Sequence, residues 1–271
     1  MTAAYDRTVL VTGATSGIGW ETARQLAEQG CHVILHAPTA RSGANALERL
    51  VAGNIPAGRF SLVVANFTRL HEVRRMAEQV RREHPVVDVL VNNAGILPPE
   101  AHTVTGDGVE VTFQVNFLAA YLLTRDLLGP LTARPGGRIV NVSSVLHRTA
   151  SIAWQDLNRS RPYVRLATYA QSQLALTILA RANHATQSGC VAVSVHPGIC
   201  ETRLRPLYAS RGKSPAEGAA HVVRLCDPGT ELLPGGYYDR GRLADAGLPA
   251  LKENSLRRLL KVADELTARA A

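Results

Sequence analysis

The chain of 271 residues is 46% hydrophobic and 19% charged with a formal charge of +8, enough apolar material for one large core and too little charge excess for disorder. No run of 18 uncharged apolar residues is present, and Asp6 and Arg7 precede the first apolar stretch, which excludes a membrane span and leads us to expect a soluble, cytoplasmic protein. Cys31, Cys190, Cys200 and Cys226 contain no CxxC pair, against a zinc site or disulfide framework, and the arginines interleave with acids (Arg74, Arg75, Arg81 and Arg82 with Glu72, Glu78 and Glu83) as on solvated helices, against nucleic acid.

Residues 8–12 (TVLVT) are a short continuous apolar run, the pattern of a strand buried on both faces of a parallel sheet. They lead into Gly13-Ala-Thr-Ser-Gly17-Ile-Gly19 and a helix over 17–29. Glycines in a strand-to-helix turn permit a tight bend, close approach of backbone to a phosphate and close packing of helix on strand, while the helix N-terminus attracts a pyrophosphate. The GxxxGxG spacing points to a dinucleotide held by Gly13, Thr15, Ser16, Gly17, Ile18 and Gly19. An ordinary strand-to-helix turn is the alternative for this motif taken alone. Residues 32–36 (HVILH) form the second strand, beyond which an acid selects NAD and an arginine selects NADP. The chain has Ala37-Pro38-Thr39-Ala40-Arg41 there, so NADP(H) is favoured over NAD(H). Arg41 is the nearest cation, and is equally readable as a surface residue opening the next helix.

A helix over 42–51 precedes the third strand, 60–65, which ends at Asn66 and Phe67. An amphipathic helix over 70–83 is followed by a strand over 86–91 and by Asn92-Asn93-Ala94-Gly95. Small and polar residues at the C-terminal end of a strand lie where open α/β sheets bind ligands. A helical pattern over 109–131 contains Asn116, which costs helix stability and needs partners. The strand over 137–142 (GRIVNV) runs into Ser143-Ser144. A helix over 166–187 places Tyr169 and Gln173 four residues apart on one face. After the strand over 190–195, His196-Pro197-Gly198 forces a loop; the polar stretch with Arg203, Arg205 and Arg211, together with a helix over 214–226, reads as a lid over 199–226. A short strand over 237–239 and a helix over 254–270 complete a single domain of 1–271.

TGATSGIG at 12–19, NNAG at 92–95, Asn116, NVSS at 141–144, Tyr169 and HPG at 196–198 resemble, in order and spacing over nearly the whole chain, the short-chain dehydrogenase/reductase family. The stretch from Trp154-Gln-Asp-Leu-Asn158 through Tyr163 and Ala167 to Tyr169 is similar to its retinol-dehydrogenase-like branch. The resemblance implies a Rossmann-type doubly wound parallel sheet in the order 3-2-1-4-5-6-7, assembly as a homodimer or homotetramer, and a small-molecule substrate whose carbonyl or alcohol is interconverted with NAD(P). Carried over, Gly13, Gly17 and Gly19 would hold the pyrophosphate, and Asn66, Phe67, Asn92, Asn93, Ala94 and Gly95 would lie along the adenosine half. Pro197, Gly198 and Thr202 would lie near the carboxamide. Ser144 would bond the substrate oxygen, Ser143 would be structural, Tyr169 would be the acid or base, and Asn116 would hold a water of the proton relay.

The chain departs from that pattern at Asn66, where the family has an aspartate, at the missing arginine after strand two, and at Gln173, where the family has a lysine. The lysine binds the nicotinamide ribose and lowers the tyrosine pKa. Glutamine keeps the first role, since its amide donates and accepts. It cannot keep the second: one charge at about 5 Å in an effective dielectric of ~20 is worth roughly 3 kcal/mol, on the order of two pKa units. Tyr169 should therefore stay nearer its ordinary range of about 10, which penalises alcohol oxidation more than carbonyl reduction. Three readings stay open: a reductase with a replacement cation such as Arg148, His147 being the weaker candidate, or with a substrate that needs less acid help; a non-redox enzyme (dehydratase, isomerase or cyclase) in which Tyr169 and Ser144 polarise a carbonyl; and a dinucleotide-binding protein with weak activity.

Overall fold

Short apolar runs alternating with amphipathic stretches produce strands and crossover helices in strict succession, and the computed structural model describes residues 7–182, 189–208 and 211–268. The first half contains β1 (Thr8–Val11), α1 (Gly17–Glu28), β2 (His32–Ala37), α2 (Ala40–Ala52), β3 (Phe60–Val64), α3 (Leu70–Glu83) and β4 (Val89–Asn92). A helical rod, α4, spans 111–126; α5 (Leu128–Thr132), β5 (Arg138–Val142), α6 (Arg165–Leu179) and β6 (Val191–His196) follow it. The chain ends with α7 (Pro215–Cys226), β7 (Tyr237–Asp239), β8 (Arg242–Ala244), α8 (Leu248–Leu251) and α9 (Glu253–Ala268).

Among the described residues the strands form one sheet in the order 3-2-1-4-5-6-7-8. Strands one to seven are parallel, as expected. β8 pairs antiparallel with β7 and was not visible in the sequence, because Arg242–Ala244 is too short and too exposed to carry an apolar pattern. Register places Leu10 beside Ile34 and Leu90, Leu90 beside Ile139, and Ile139 beside Ala192. That row faces the core shared with α3, α4 and α6, while Val9, Val11, Val33, Val89, Val91 and Val140 point to the opposite core beneath α1 and α7. Strand side chains alternate between faces, so near-continuous apolar runs are what a sheet buried on both sides requires. Truncating Leu90, fully buried in the central strand, would cost about 2–5 kcal/mol.

Two helices differ from expectation. The pattern over 109–131 is not one helix: Val111–Phe113 passes into a π turn at Gln114–Leu118, regains α geometry over Ala119–Asp126, and stops before α5. Single π turns inside helices mark places where a side chain is re-aimed, and this one carries Asn116. Helix α6 ends at Leu179 rather than near 187, because its last turn tightens into i to i−3 bonds (Arg181 N–H to Ile178 O, Ala182 N–H to Leu179 O) and the Arg181 guanidinium turns to the Ala250 carbonyl. The remainder of that expected helix, 183–187, lies outside the described residues, as does the end of the expected terminal helix at 269–270.

Helix α7 begins where Ser214 accepts the Glu217 N–H at 3.2 Å and Pro215 occupies the first turn, a position where the missing amide proton costs nothing. It packs along α1, with Gln25 Nε2 donating to Ala216 O at 3.0 Å. Residues 214–226 therefore pack as part of the scaffold, with Gly218 of α7 set against Ile18 and Cys200, while the segment before them lies over the ligand-binding edge of the sheet. Helix α9 lies along α3 and α4: Tyr121 donates to Asp264 at 2.6 Å, and Arg74 donates to the Thr267 carbonyl at 2.5 Å. No helix among the described residues is long and apolar enough to cross a membrane.

Candidate active site

The C-terminal ends of the central strands open into a cleft of about 450 Å³. Gly13, Thr15, Ser16, Gly17, Ile18 and Gly19, then Asn66, Phe67, Asn93, Ala94 and Gly95, and then Pro197, Gly198 and Thr202 all line it, and Thr202 comes up against the glycine-rich loop, its Cγ2 3.1 Å from where a Cβ on Gly17 would lie. These expected cofactor residues are thus brought together. Arg41 is not among the lining residues: it is an exposed side chain in the first turn of α2. Asn92 is also elsewhere, buried within the sheet, donating to Thr124 Oγ1 at 3.2 Å and Asn141 Oδ1 at 2.9 Å.

The glycine-rich loop is fixed by packing as much as by any ligand. A Cβ on Gly19 would lie 2.3 Å from Asn93 Nδ2 and 2.4 Å from Gly13 O, and Gly13 holds φ +65° with Ala94 Cα 2.8 Å from where its Cβ would be. The close approach here is therefore first of all loop to loop. What fits a pyrophosphate is the start of α1: the Ser16 side chain makes no capping bond, no acid stands in the first turn, and the helix N-terminus opens into the cleft.

His36, which the sequence showed only as the end of a strand, organises this end of the site. Its Nδ1 accepts the Gly13 N–H at 3.0 Å, so the ring proton sits on Nε2 and donates to Ala65 O at 2.9 Å. The ring also stacks on Phe67, centroids 4.1 Å apart and planes 11° from parallel. Burial pulls its pKa down to about 4, outweighing the bond to Ala65, and the neutral ring is the form that can accept from Gly13. A polar ring closing the apolar strand HVILH was the only hint in the sequence. Asn66, which lines the cleft, has its Oδ1 occupied by its own turn, accepting from Thr68 N and Oγ1 at 3.0 and 2.9 Å.

The chemical end is assembled from β5, α6, the π turn and the loop after β6. Ser143 Oγ donates to the Gln173 carbonyl at 3.2 Å and bonds Thr177 Oγ1 at 2.7 Å, tying the end of β5 to α6. Asn116 Oδ1 accepts the Ile96 N–H at 2.8 Å, while Nδ2 donates to Ile96 O at 3.3 Å and Ser172 Oγ at 3.1 Å. Its amide thus joins the NNAG loop to α6 directly, one turn from Tyr169. The longer loop before Tyr169 is held to the same helix by Gln171, which accepts from Ala153 N and Arg159 Nε, both at 2.9 Å, and donates to Leu157 O at 2.8 Å.

Ser144 and Tyr169 are both buried and meet at a third hydroxyl, Tyr208. Ser144 Oγ accepts the Leu146 N–H at 3.1 Å and shares a hydrogen bond with Tyr208 Oη, 2.7 Å away, in which either hydroxyl can be the donor. The Tyr169 hydroxyl lies in hydrogen-bonding reach of both partners; burial first, then Tyr208, push its pKa well above the ordinary phenol range. The Tyr208 phenol is raised mainly by burial, with Ser144 and Tyr169 pulling it back. Sequence reasoning left Tyr169 near its usual range. Burial moves it higher, because desolvation of a side chain is a property of the fold and not of its neighbours in sequence.

No cation acts on the Tyr169 phenol among the described residues. Gln173 lines the cleft beside it, and its side-chain amide has no hydrogen-bond partner among the described residues. Arg148, the expected replacement cation, is turned away: it donates to Asp245 O at 2.8 Å and lies 5.4 Å from the Tyr237 ring centre. His147 is buried between the Ser144 and Ala246 carbonyls, at 2.6 and 2.8 Å, with its pKa lowered by burial. It braces the loop behind Ser144. The segment over the cleft is 199–208, with Thr202, Arg203, Leu204 and Tyr208 lining it and a neck where Glu201 N–H bonds Lys213 O at 2.9 Å and Lys213 N–H bonds Ile199 O at 2.7 Å.

Residues 7–211 match the short chain dehydrogenase family. Retinol dehydrogenase 14 of Mus musculus is 33% identical over 286 residues, covering 96% of this chain and 85% of its own. A protein of Streptomyces sp. (strain C5) that carries the name daunorubicin C-13 ketoreductase is 38% identical over 264 residues, covering 90% of this chain and 89% of its own. Among solved structures, a Mycobacterium paratuberculosis protein superposes with a TM-score of 0.80 at 31% identity, over 97% of this chain and 94% of that one. Salutaridine reductase from Papaver somniferum shares the fold, with a TM-score of 0.70 at 21% identity over 86% and 99% of the two chains. With its glycine-rich cradle, its paired Ser144 and Tyr169, and a family match over most of its length, the chain belongs to the short-chain dehydrogenase/reductase family of oxidoreductases.

Proposed function

We propose that this protein is an NADPH-dependent reductase of a carbonyl on a small apolar molecule. The observation that carries this reading is the convergence of Ser144 Oγ and the Tyr169 hydroxyl on a single oxygen, here that of Tyr208. Two donors aimed at one acceptor are what a developing alkoxide needs. Reduced nicotinamide, when bound, supplies a hydride to the carbonyl carbon. Ser144 holds the oxygen through its proton, its own lone pair being engaged by Leu146 N–H. Tyr169 gives its proton to the same oxygen as the C=O π pair moves onto it. The raised pKa leaves no phenolate at neutral pH to act as base for alcohol oxidation, whereas the phenol can still pass its proton to the developing alkoxide, which is the stronger base.

The uncapped start of α1 and the Gly13 to Gly19 loop would hold the pyrophosphate, and the free amide of Gln173 would bond the nicotinamide ribose hydroxyls. NADPH is favoured over NADH because no carboxylate follows β2, while the start of α2 carries the Thr39 and Ser42 hydroxyls with Arg41 beside them. The absence of a cation at Tyr169 also favours a second reading, a dehydratase, isomerase or cyclase in which the two hydroxyls only polarise a carbonyl. Incubation with NADPH and a panel of aldehydes, ketones and quinones separates the two. Cofactor consumption that disappears in Tyr169→Phe upholds the reductase; product formed with no change in nicotinamide absorbance would replace it with the second reading.

A further inference from the structure

Tyr208 belongs to the segment between β6 and α7, yet it ends in the middle of the catalytic pair. Its oxygen is hydrogen-bonded to Ser144 Oγ at 2.7 Å and stands within hydrogen-bonding reach of the Tyr169 hydroxyl. Ser144 Oγ also accepts from Leu146 N–H, and Tyr169 is almost wholly enclosed. Each hydroxyl has one proton to give, and the Tyr208 oxygen stands between them. A reacting carbonyl needs the same two donors, so Tyr208 and a substrate cannot be bonded by them together.

The chain thus shows, with one of its own side chains, what shape the seat accepts. The occupant is a planar six-membered ring whose oxygen is attached directly to a ring carbon, in the ring plane. Tyr208 lies beside Cys200 on its own segment and within electrostatic reach of Tyr237 on β7. A ring of that size can be exchanged for another of similar size with little repacking, whereas a bulky branched alkyl ketone would have to reshape the same wall.

Resting on the reductase reading, we infer that the seat between Ser144 and Tyr169 is built for an oxygen carried directly on a planar six-membered ring, that Tyr208 fills it in the free protein, and that the substrate is a ring carbonyl of the quinone or cyclic enone class. Entry of such a substrate displaces the Tyr208 side chain and passes both hydrogen bonds to the ring oxygen. Tyr208 then sets specificity as a competitor: an incoming group must match its ring and its two hydrogen bonds to replace it.

Titration calorimetry with p-cresol, a bare copy of the Tyr208 side chain, tests this on full-length protein without requiring turnover. Tyr208→Ala empties the seat, Tyr208→Phe keeps the ring and removes the oxygen, and toluene serves as the ring without oxygen. We expect p-cresol to bind Tyr208→Ala at least ten-fold more tightly than wild type, Tyr208→Phe to fall between them, and toluene to lag behind p-cresol in the Ala variant by a similar factor. If Tyr208→Ala does not fold, the comparison of Tyr208→Phe with wild type still decides. Equal p-cresol affinity in all proteins, or toluene binding as well as p-cresol, would overturn the inference. Binding in the expected order by a protein that never consumes NADPH would keep the seat and discard the reductase reading. Turnover of aliphatic ketones with no preference for p-cresol in any variant would do the reverse.

Discussion

The two ends of the cleft are built differently. At the dinucleotide end the walls are mostly backbone: the loop over 13–19, the NNAG turn, and a helix start whose amides are directed by the helix itself. The side chains that organise it are committed: His36 has one ring nitrogen on Gly13 and the other on Ala65, Thr12 Oγ1 accepts from Asn93 N and Ala94 N, and Asn93 Nδ2 donates to Thr12 O. At the other end the walls are side chains contributed by β5, α6, the π turn and the segment after β6, and the Tyr208 hydroxyl is bonded to Ser144. The first end is closed by contacts between neighbouring loops. The second is assembled from long-range contacts, and it is where a family can change its chemistry while keeping its fold.

Substitutions should separate the two ends. The largest effect is expected for Tyr169→Phe, which removes the proton donor and should lower kcat for carbonyl reduction by about 10³-fold while leaving NADPH affinity within about two-fold. Equal losses in both measurements would show that the two ends are not independent. Next comes the pH dependence of stability carried by His36. Its folded pKa lies at about 4, against 6.5 unperturbed. The unfolded chain therefore binds the extra proton first: the contribution is complete above pH 6.5 and is lost as pH falls from 6.5 toward 4. At about 1.4 kcal/mol per pKa unit the loss is on the order of 3 kcal/mol. Urea unfolding of wild type and His36→Gln across that window should show the variant losing less stability by that amount. Identical slopes would mean that His36 is not held neutral by Gly13.

Gln173→Lys restores the charge at the chemical end and should lower the Tyr169 pKa by about two units, raising alcohol oxidation near neutral pH by roughly 10²-fold. The rate–pH profile for oxidation should shift to lower pH by the same two units. An unshifted profile would show that some other group already supplies the charge. The smallest change belongs to the outer rim of the dinucleotide end: Arg41→Ala should raise the KM for NADPH by about five-fold and leave that for NADH alone, the size of an exposed charge pair. Equal effects on both cofactors would remove Arg41 from 2′-phosphate recognition.

Much of the dinucleotide end was legible before any coordinates, because its signals are local. Gly13, Gly17 and Gly19 sit within one turn, Asn93 to Gly95 are consecutive, and each follows an apolar strand whose end marks the binding edge of the sheet. The chemical end was legible only where one segment carried the motif, as with Ser144 and with Tyr169 and Gln173 four apart. Asn116 was visible as an oddity in a helix, but its grip on Ile96 and Ser172 depends on a π turn that no periodicity announces. Tyr208 lay in a polar stretch marked by its arginines, 64 residues from the serine it bonds. The expectation that Arg148 replaced the missing cation failed for the same reason: proximity in sequence to Ser144 says nothing about which way the guanidinium turns.

By itself, then, the sequence determined the order of elements, the doubly wound parallel sheet and the position of the glycine-rich turn at its binding edge, since these follow from residue spacing and from apolar runs that only a sheet buried on both faces can use. Tertiary structure alone decided the neutral state of His36, the raised pKa of Tyr169 and the placement of Tyr208 between the catalytic hydroxyls. Each of these depends on desolvation or on hydrogen bonds closed across distant segments, and neither quantity exists until the chain has folded.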